Sequence, residues 1–402
     1  MTGEAPLKGI RVLDLTRYLA GPFCTQILGD YGAEVLKIEP VEGGRSEMGK
    51  YTGRDSYFFL SANRSKKSVQ LAIKKPEGRN LLLRLAERAD VVVDNFRPGV
   101  MDAMGLGHAT LSARNPRIIT CNISGFGPSG PLRDRPGFDQ IAQGMSGLMS
   151  VTGTEQSGPT RVGIAICDLL AGIFAAQGIL LALEARHRTG RGQRVETSLL
   201  ESIVSILSWS AGIYFETGKS PRPQGNHHPL SAPHGVFHAA DRPFNIAVGS
   251  EAMWRKFTEV LGRPELADDE RFVTVGLRVR NRDTLSVEID RALAGRPADY
   301  WIELFNREGI PSGPILTIEE MFQHPQTAAR EMLLRMEHPV LGTFMTTGLA
   351  AKLGETPGRV SRPPLLGEHT DEVLGEYGLD AGEIARLRAA GVIGGQRETA
   401  RA

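Results

Sequence analysis

The chain predicts an α/β fold built on a doubly wound, mainly parallel sheet, on three observations. Its first third alternates short β-rich runs with helix-length segments, as βαβ units do. One of those runs, Val91-Val92-Val93, is uninterruptedly apolar, as a strand buried on both faces requires. A long apolar helical stretch follows near the middle. In order, Gly9 to Leu15 reads as a strand and Gly21 to Tyr31 as a helix, with Pro22 in its first turn. Ala33 to Glu39 reads as a second strand, and Pro76 opens a helix carrying Leu81, Leu82, Leu83, Leu85 and Ala86. Arg117 to Ser124 reads as a further strand.

Asp168 to His187 is the clearest helix, apolar almost all round and so expected to be buried; Arg186, His187, Arg188 and Gly190 suit its C-terminus. Another helix is expected from Ser198 to about Glu216. The Pro- and Gly-rich stretch beyond it, with Asn226-His227-His228-Pro229, reads as a linker. A second unit then carries a strand at 243–248 and helices near 251–262 and 297–308, and a last helix lies near 381–390.

At 402 residues, two domains are the natural expectation. With 47 Lys+Arg against 46 Asp+Glu, no global basic field argues for nucleic acid. The first residues lack the basic and apolar regions of a secretory signal, and charged residues interrupt every long apolar run, so no membrane association is expected. Cys24, Cys121 and Cys167 are far apart and form no disulfide framework, which fits the cytoplasm.

Gly125-Phe126-Gly127-Pro128-Ser129-Gly130 has the G-x-G-x-x-G spacing, yet prolines and polar residues follow where a dinucleotide fingerprint must open a helix. It reads as a loop, with a lid as one possible use. His227-His228 has no acidic or cysteine partner at ligand spacing, so no metal is expected. Asp168 stands where the apolar run Val162 to Cys167 meets the long helix. As a helix N-cap it would accept backbone N–H bonds. The same placement would hold it ionised, and so nucleophilic without a separate base. Position alone leaves both roles open.

Several segments resemble the class III CoA-transferases, the CaiB/BaiF family: residues 7–40 (LKGIRVLDLTRYLAGPFCTQILGDYGAEVLKIEP), 94–107 (DNFRPGVMDAMGLG), 161–193 (RVGIAICDLLAGIFAAQGILLALEARHRTGRGQ), 309–315 (GIPSGPI) and 364–374 (PLLGEHTDEVL). The resemblance implies a Rossmann-like large domain with an inserted smaller α+β domain, in an interlocked homodimer. The large domain would comprise residues 1–205 and 325–402, the linker 206–233 and the small domain 234–318. It implies CoA transfer from an acyl-CoA to a carboxylic acid through an aspartyl anhydride and an aspartyl-CoA thioester on Asp168, with coenzyme A as substrate and no permanent cofactor. Asp139 matches an acidic residue near that centre. Tyr18 and Ala20, then Leu71, Ala72, Ile73 and Lys74, then Asn95, Phe96 and Arg97 match CoA-contacting loops. Leu19 stands where formyl-CoA transferases carry glutamine, and no glycine run occurs at 225–300. Both departures point to an acyl group larger than formyl, with a succinyl-CoA-type donor as the expectation. Two rivals are an α-methylacyl-CoA racemase-type isomerase and a non-catalytic CoA-binding protein. Against the isomerase, Phe138-Asp139-Gln140-Ile141-Ala142 replaces the His-Asp-x-x-Tyr typical of racemases, and no histidine lies between His108 and His187.

Overall fold

A computed structural model describes residues 3–42, 45 and 55–395. Residues 1–2, 43–44, 46–54 and 396–402 of the expected large domain lie outside that range. The chain forms two compact units: 1–149, 161–217 and 330–402 in one, 150–160 and 218–329 in the other. Their limits differ from the expected ones in that residues 206–217 join the large unit, and 150–160, 218–233 and 319–329 the smaller one.

The large unit is built on β1 (Arg11–Asp14), α1 (Ala20–Asp30), β2 (Glu34–Glu39), β3 (Lys67–Gln70), α2 (Pro76–Glu87), β4 (Val91–Asp94), β5 (Ile119–Ser124), α3 (Asp139–Met145), α4 (Ile166–Thr189), β6 (Arg194–Ser198), α5 (Leu199–Val204) and α6 (Ser208–Thr217). All sheet pairings are parallel, in the order β3-β2-β1-β4-β5-β6. This is the Rossmann order, whose direction reverses between β1 and β4. Val91, Val92 and Val93 are buried in the centre, while β6 at the edge alternates exposed and half-buried residues. One layer of apolar side chains packs Leu81, Leu82 and Leu85 of α2 on one face; α1 and α4 cover the other through Cys24, Leu28, Ala175 and Ile179.

Two helix expectations are corrected. The stretch 198–216 is two helices, because Ser205 ends the first and Ser208 takes a φ of 48°; serine and the β-branched Val204 and Ile206 are weak helix formers. The apolar helix is not buried all round: Ile173, Leu180 and Leu181 are exposed. By length and composition α4 could cross a membrane, but its other faces pack on α1, β5, β6 and α5 as the core helix of this unit.

The smaller unit holds β7 (His234–His238), β8 (Pro243–Ala247), α7 (Glu251–Val260), α8 (Arg282–Leu293), α9 (Ala298–Arg307) and β9 (Ser312–Pro314). The three strands form an antiparallel sheet in the order β7-β8-β9. Its core is aromatic, with Phe237, Phe244, Trp254, Phe257, Trp301 and Phe305 buried together. The chain returns to the large unit with the hairpin β10 (Leu333–His338) and β11 (Gly342–Thr347), then α10 (Thr370–Glu376) and α11 (Ala381–Ala389).

Candidate active site

The loops leaving the carboxyl ends of the parallel strands carry the residues expected to meet a ligand, as open α/β sheets require. At the reversal point, Asn95 beyond β4 accepts the Arg17 N–H at 2.9 Å and donates to the Arg17 carbonyl at 2.6 Å. This amide locks the β1 and β4 loops together. Beneath them, Asp14 is buried with Lys66. Its carboxylate accepts from the Thr16 N–H, the Thr16 and Thr25 hydroxyls and the Lys66 ammonium. Lys66 also donates to the Pro22 and Ala62 carbonyls, and Lys37 to the Thr16 carbonyl. Burial works to raise the Asp14 carboxyl, but Lys37 and Lys66 hold it well below the usual carboxylate range.

On this footing Tyr18 turns outward with a φ of 63° and meets Phe138 edge to face, their ring centres 6.0 Å apart. Phe138 precedes Asp139, so the β1 loop reaches the start of α3. Ala20 opens α1 against α4. A Cβ on Gly172, one turn past Asp168, would stand 2.7 Å from the Ala20 carbonyl oxygen. Only glycine permits that approach, and it brings Asp168 beside the β1 loop.

The helix-cap expectation for Asp168 is corrected. Helix α4 begins at Ile166 with Ala165 as its N-cap, which places Asp168 in the first turn. No described residue donates a hydrogen bond to its carboxylate. The Cys167 N–H is taken instead by Asp139 Oδ1 at 2.8 Å, from another helix. The expectation that dipole and backbone donors keep Asp168 ionised is reversed as well. Burial, with the negative charge of Asp139 added, pushes its carboxyl up to about 7. Burial first, then Asp139 and Asp168, push the Cys167 thiol up to about 12, so sulfur is no nucleophile here.

Gln143, which sequence reasoning missed, joins these groups. It is fully buried one turn after Asp139. Its amide nitrogen donates to Asp139 Oδ2 at 2.7 Å and to the Ile164 carbonyl at 3.3 Å, and its oxygen accepts the Val162 N–H at 2.9 Å. The i, i+4 spacing of Asp139 and Gln143 was the available signal.

The other expected positions spread along the same edge. Leu71 is core, with its N–H on the Glu39 carbonyl, and the Ala72 N–H goes to Val392. Ile73 is half-buried and Lys74 exposed, at the β3 edge two strands from β1. Phe96 packs on the core. Arg97 is exposed and lines a polar hollow with Asp94, His108, Asn122 and Arg194. The glycine-rich loop leads to α3 only at Asp139, past a neck where a Cβ on Gly125 would stand 2.7 Å from Gly137 Cα.

A doubly wound sheet with a half-buried carboxyl that accepts no hydrogen bond from the described residues, beside its reversal point, fits an α/β enzyme without a nucleotide fingerprint. The model of CoA-transferase family III matches residues 7–370, and the chain belongs to that family. The acetyl-CoA:oxalate CoA-transferase of Acetobacter aceti is 42% identical, covering 83% of this chain and 86% of that protein. The human succinyl-CoA:glutarate CoA-transferase is 37% identical, covering 99% and 92%. Among solved structures, a CaiB/BaiF family protein from Brucella suis is 35% identical with a TM-score of 0.83, covering 93% of this chain and all of that one. The protein is an enzyme that transfers CoA, with CoA thioesters and carboxylic acids as its substrates.

Proposed function

We propose that Asp168 is the nucleophile of this CoA transfer. The observation that carries the proposal is a half-buried carboxyl that accepts no hydrogen bond from the described residues, in the first turn of a helix whose Cys167 N–H is already held by Asp139. An anion short of donors in such a place is reactive towards a thioester carbonyl. It attacks the acyl-CoA, forming an aspartyl–acyl anhydride and releasing CoA thiolate. The thiolate attacks the aspartyl carbonyl, forming the Asp168–CoA thioester and freeing the donor acid. The acceptor carboxylate attacks that thioester, giving a new anhydride and thiolate. The thiolate then takes the acceptor acyl group, and Asp168 returns to a carboxylate. The charge moves only between carboxylate and thiolate, so the residues need supply no external oxidant.

On this reading, and as the family resemblance implies, coenzyme A would lie along the strand ends near Tyr18, Ala20, Leu71, Ala72, Ile73, Lys74, Asn95, Phe96 and Arg97. The donor is a succinyl-type acyl-CoA. Support comes from the human relative's name and from Leu19, an apolar residue buried at the start of α1. The acceptor is a carboxylic acid of similar size. The working unit is a homodimer, interlocked as the family resemblance implies. The apolar side chains left open on α4 and α6, with Leu181 63% and Phe215 80% exposed, favour cover by a second copy. Three buried cysteine thiols suit a reducing, cytoplasmic setting.

The test is intact-protein mass spectrometry after incubation with succinyl-CoA and a panel of acids. The unaltered protein gains the mass of a CoA thioester and forms new acyl-CoAs; Asp168→Ala does neither. Undiminished acyl exchange by Asp168→Ala would overturn the assignment.

A further inference from the structure

The Asp168 centre stands on a segment that has little structure of its own. Val162 to Ala165 lies between the smaller unit's residues 150–160 and the first turn of α4, and makes no strand. Gly163 and Ile164 are exposed, so apolar packing does not fix them. Two backbone groups, the Val162 N–H and the Ile164 carbonyl, are gripped by one side chain, Gln143. The same amide reaches Asp139 Oδ2, while Asp139 Oδ1 holds the Cys167 N–H. The strap before Asp168 and the helix turn that carries it are thus pinned at three backbone points by two side chains of α3.

We infer that Gln143 is a positioning residue for CoA transfer: its amide sets the Val162–Ile164 strap and aligns Asp139, and so fixes where Asp168 meets the acyl carbon. The inference rests on the reading of Asp168 as nucleophile. The chemistry at position 143 is restrictive. The side chain must donate towards Asp139 and the Ile164 carbonyl and accept from Val162 at once. Glutamine does so at any pH. A protonated glutamic acid can accept from Val162 and donate to Asp139, whereas glutamate cannot donate at all. Charged and titratable groups around it are Asp139 on its own helix, Arg161 at 4.0 Å from Asp139 Oδ2, and Cys167 and Asp168 on α4. On α5, which also packs on α3, Glu201 accepts the Ser198 hydroxyl.

Gln143→Met and Gln143→Glu test this against Asp168→Asn, with kcat and KM for succinyl-CoA measured from pH 6 to pH 9 and circular dichroism recorded at each pH. Gln143→Met lowers kcat by about 10- to 100-fold, the cost of misplacing reacting groups by about 1 Å, with KM within about threefold. The ratio of Gln143→Glu to unaltered kcat is highest at pH 6 and falls at least about tenfold by pH 9, as the mimic loses its proton. A merely structural role would not produce that fall in a protein that stays folded. The inference is overturned if Gln143→Met keeps kcat within about twofold, or if the Gln143→Glu ratio is flat with pH. Should Gln143→Met fail to fold, the pH ratio of Gln143→Glu decides alone. If Asp168→Asn retains exchange, the nucleophile reading falls. If it abolishes exchange while the Gln143 variants match the unaltered protein, only the present inference falls.

Discussion

Asp14 and Asp168 both sit in the large unit, within reach of the same β1 loop, and their surroundings act on them in opposite directions. Asp14 receives four hydrogen bonds, one of them from the buried Lys66 ammonium, with Lys37 close by. Asp168 receives none from the described residues and faces the negative charge of Asp139. Burial raises both carboxyls, and the partners decide the outcome: Asp14 ends far below its ordinary value, Asp168 near 7. A buried charge that is fully paired is structure. One left without donors costs stability and keeps its reactivity. The two aspartates, one on a strand and one on a helix of the same unit, contrast a braced carboxylate with the one proposed as reagent.

The comparison can be broken most severely at Asp168. Asp168→Asn should abolish acyl exchange, a loss of ~10³-fold or more, and at the same time stabilise the fold at pH 8 by up to about 3 kcal/mol in denaturant titrations. The sign follows from the raised folded-state value. Stability contributed by Asp168 is fully present below the unfolded value of about 4 and is lost as pH rises towards 7. An unchanged or lower stability of the variant at pH 8 would remove the contrast.

Next comes Asp14→Ala, which strands two buried cations and should destabilise by about 3–5 kcal/mol. Its sign is opposite: the Asp14 contribution is present above the unfolded value and fades as acid titrates the carboxyl. Gly172→Ala sets a methyl against the Ala20 carbonyl and should cost about 1–3 kcal/mol; thermal melts with activity assays read both effects. The smallest effect is in the pH profile. The acid limb of kcat should fall near pH 7, since on the proposed mechanism only ionised Asp168 attacks. Asp139→Asn, which keeps an oxygen for the Cys167 N–H, should move that limb to lower pH. A limb that stays put would show that Asp139's charge is not felt at Asp168.

Much of this fold was legible because its signals are local. The valine run of β4, Pro76 at a helix start and the apolar stretch of α4 each declare their element locally. The edge strand β6 was not legible: Arg194, Glu196 and Thr197 alternate with only one apolar side chain, because one of its sides has no neighbouring strand to bury. The start of α4 was misplaced by two residues for a different reason. Aspartate at the head of an apolar helix looks like its own cap, but the cap group comes from Asp139, 28 residues before the N–H it holds. No local pattern reports a bond formed by tertiary docking. The upward shift at Asp168 follows from the same cause, since burial by tertiary packing, and then Asp139 from a distant part of the sequence, raise it. The family resemblance pointed to Asp168 and Asp139 but not to Gln143. The i, i+4 spacing with Asp139 hints at that residue, but its grip on Val162 and Ile164 emerges only once α3 is laid beside the strap.

The brace around Asp14 has a consequence for the order in which this protein comes apart. Its groups arrive from β1, the β1 loop, α1, β2 and the segment entering β3. A chain that peels away any one of them exposes an unmatched ion to an apolar interior. Partial opening of the β1 loop is therefore nearly as uphill as melting the sheet, and the two become a single cooperative event. The Thr16 amide, bonded to Asp14 and buried, is the natural reporter. Its hydrogen should exchange with solvent only at the rate of global unfolding, which would make the β1 loop as long-lived as the β-sheet behind it.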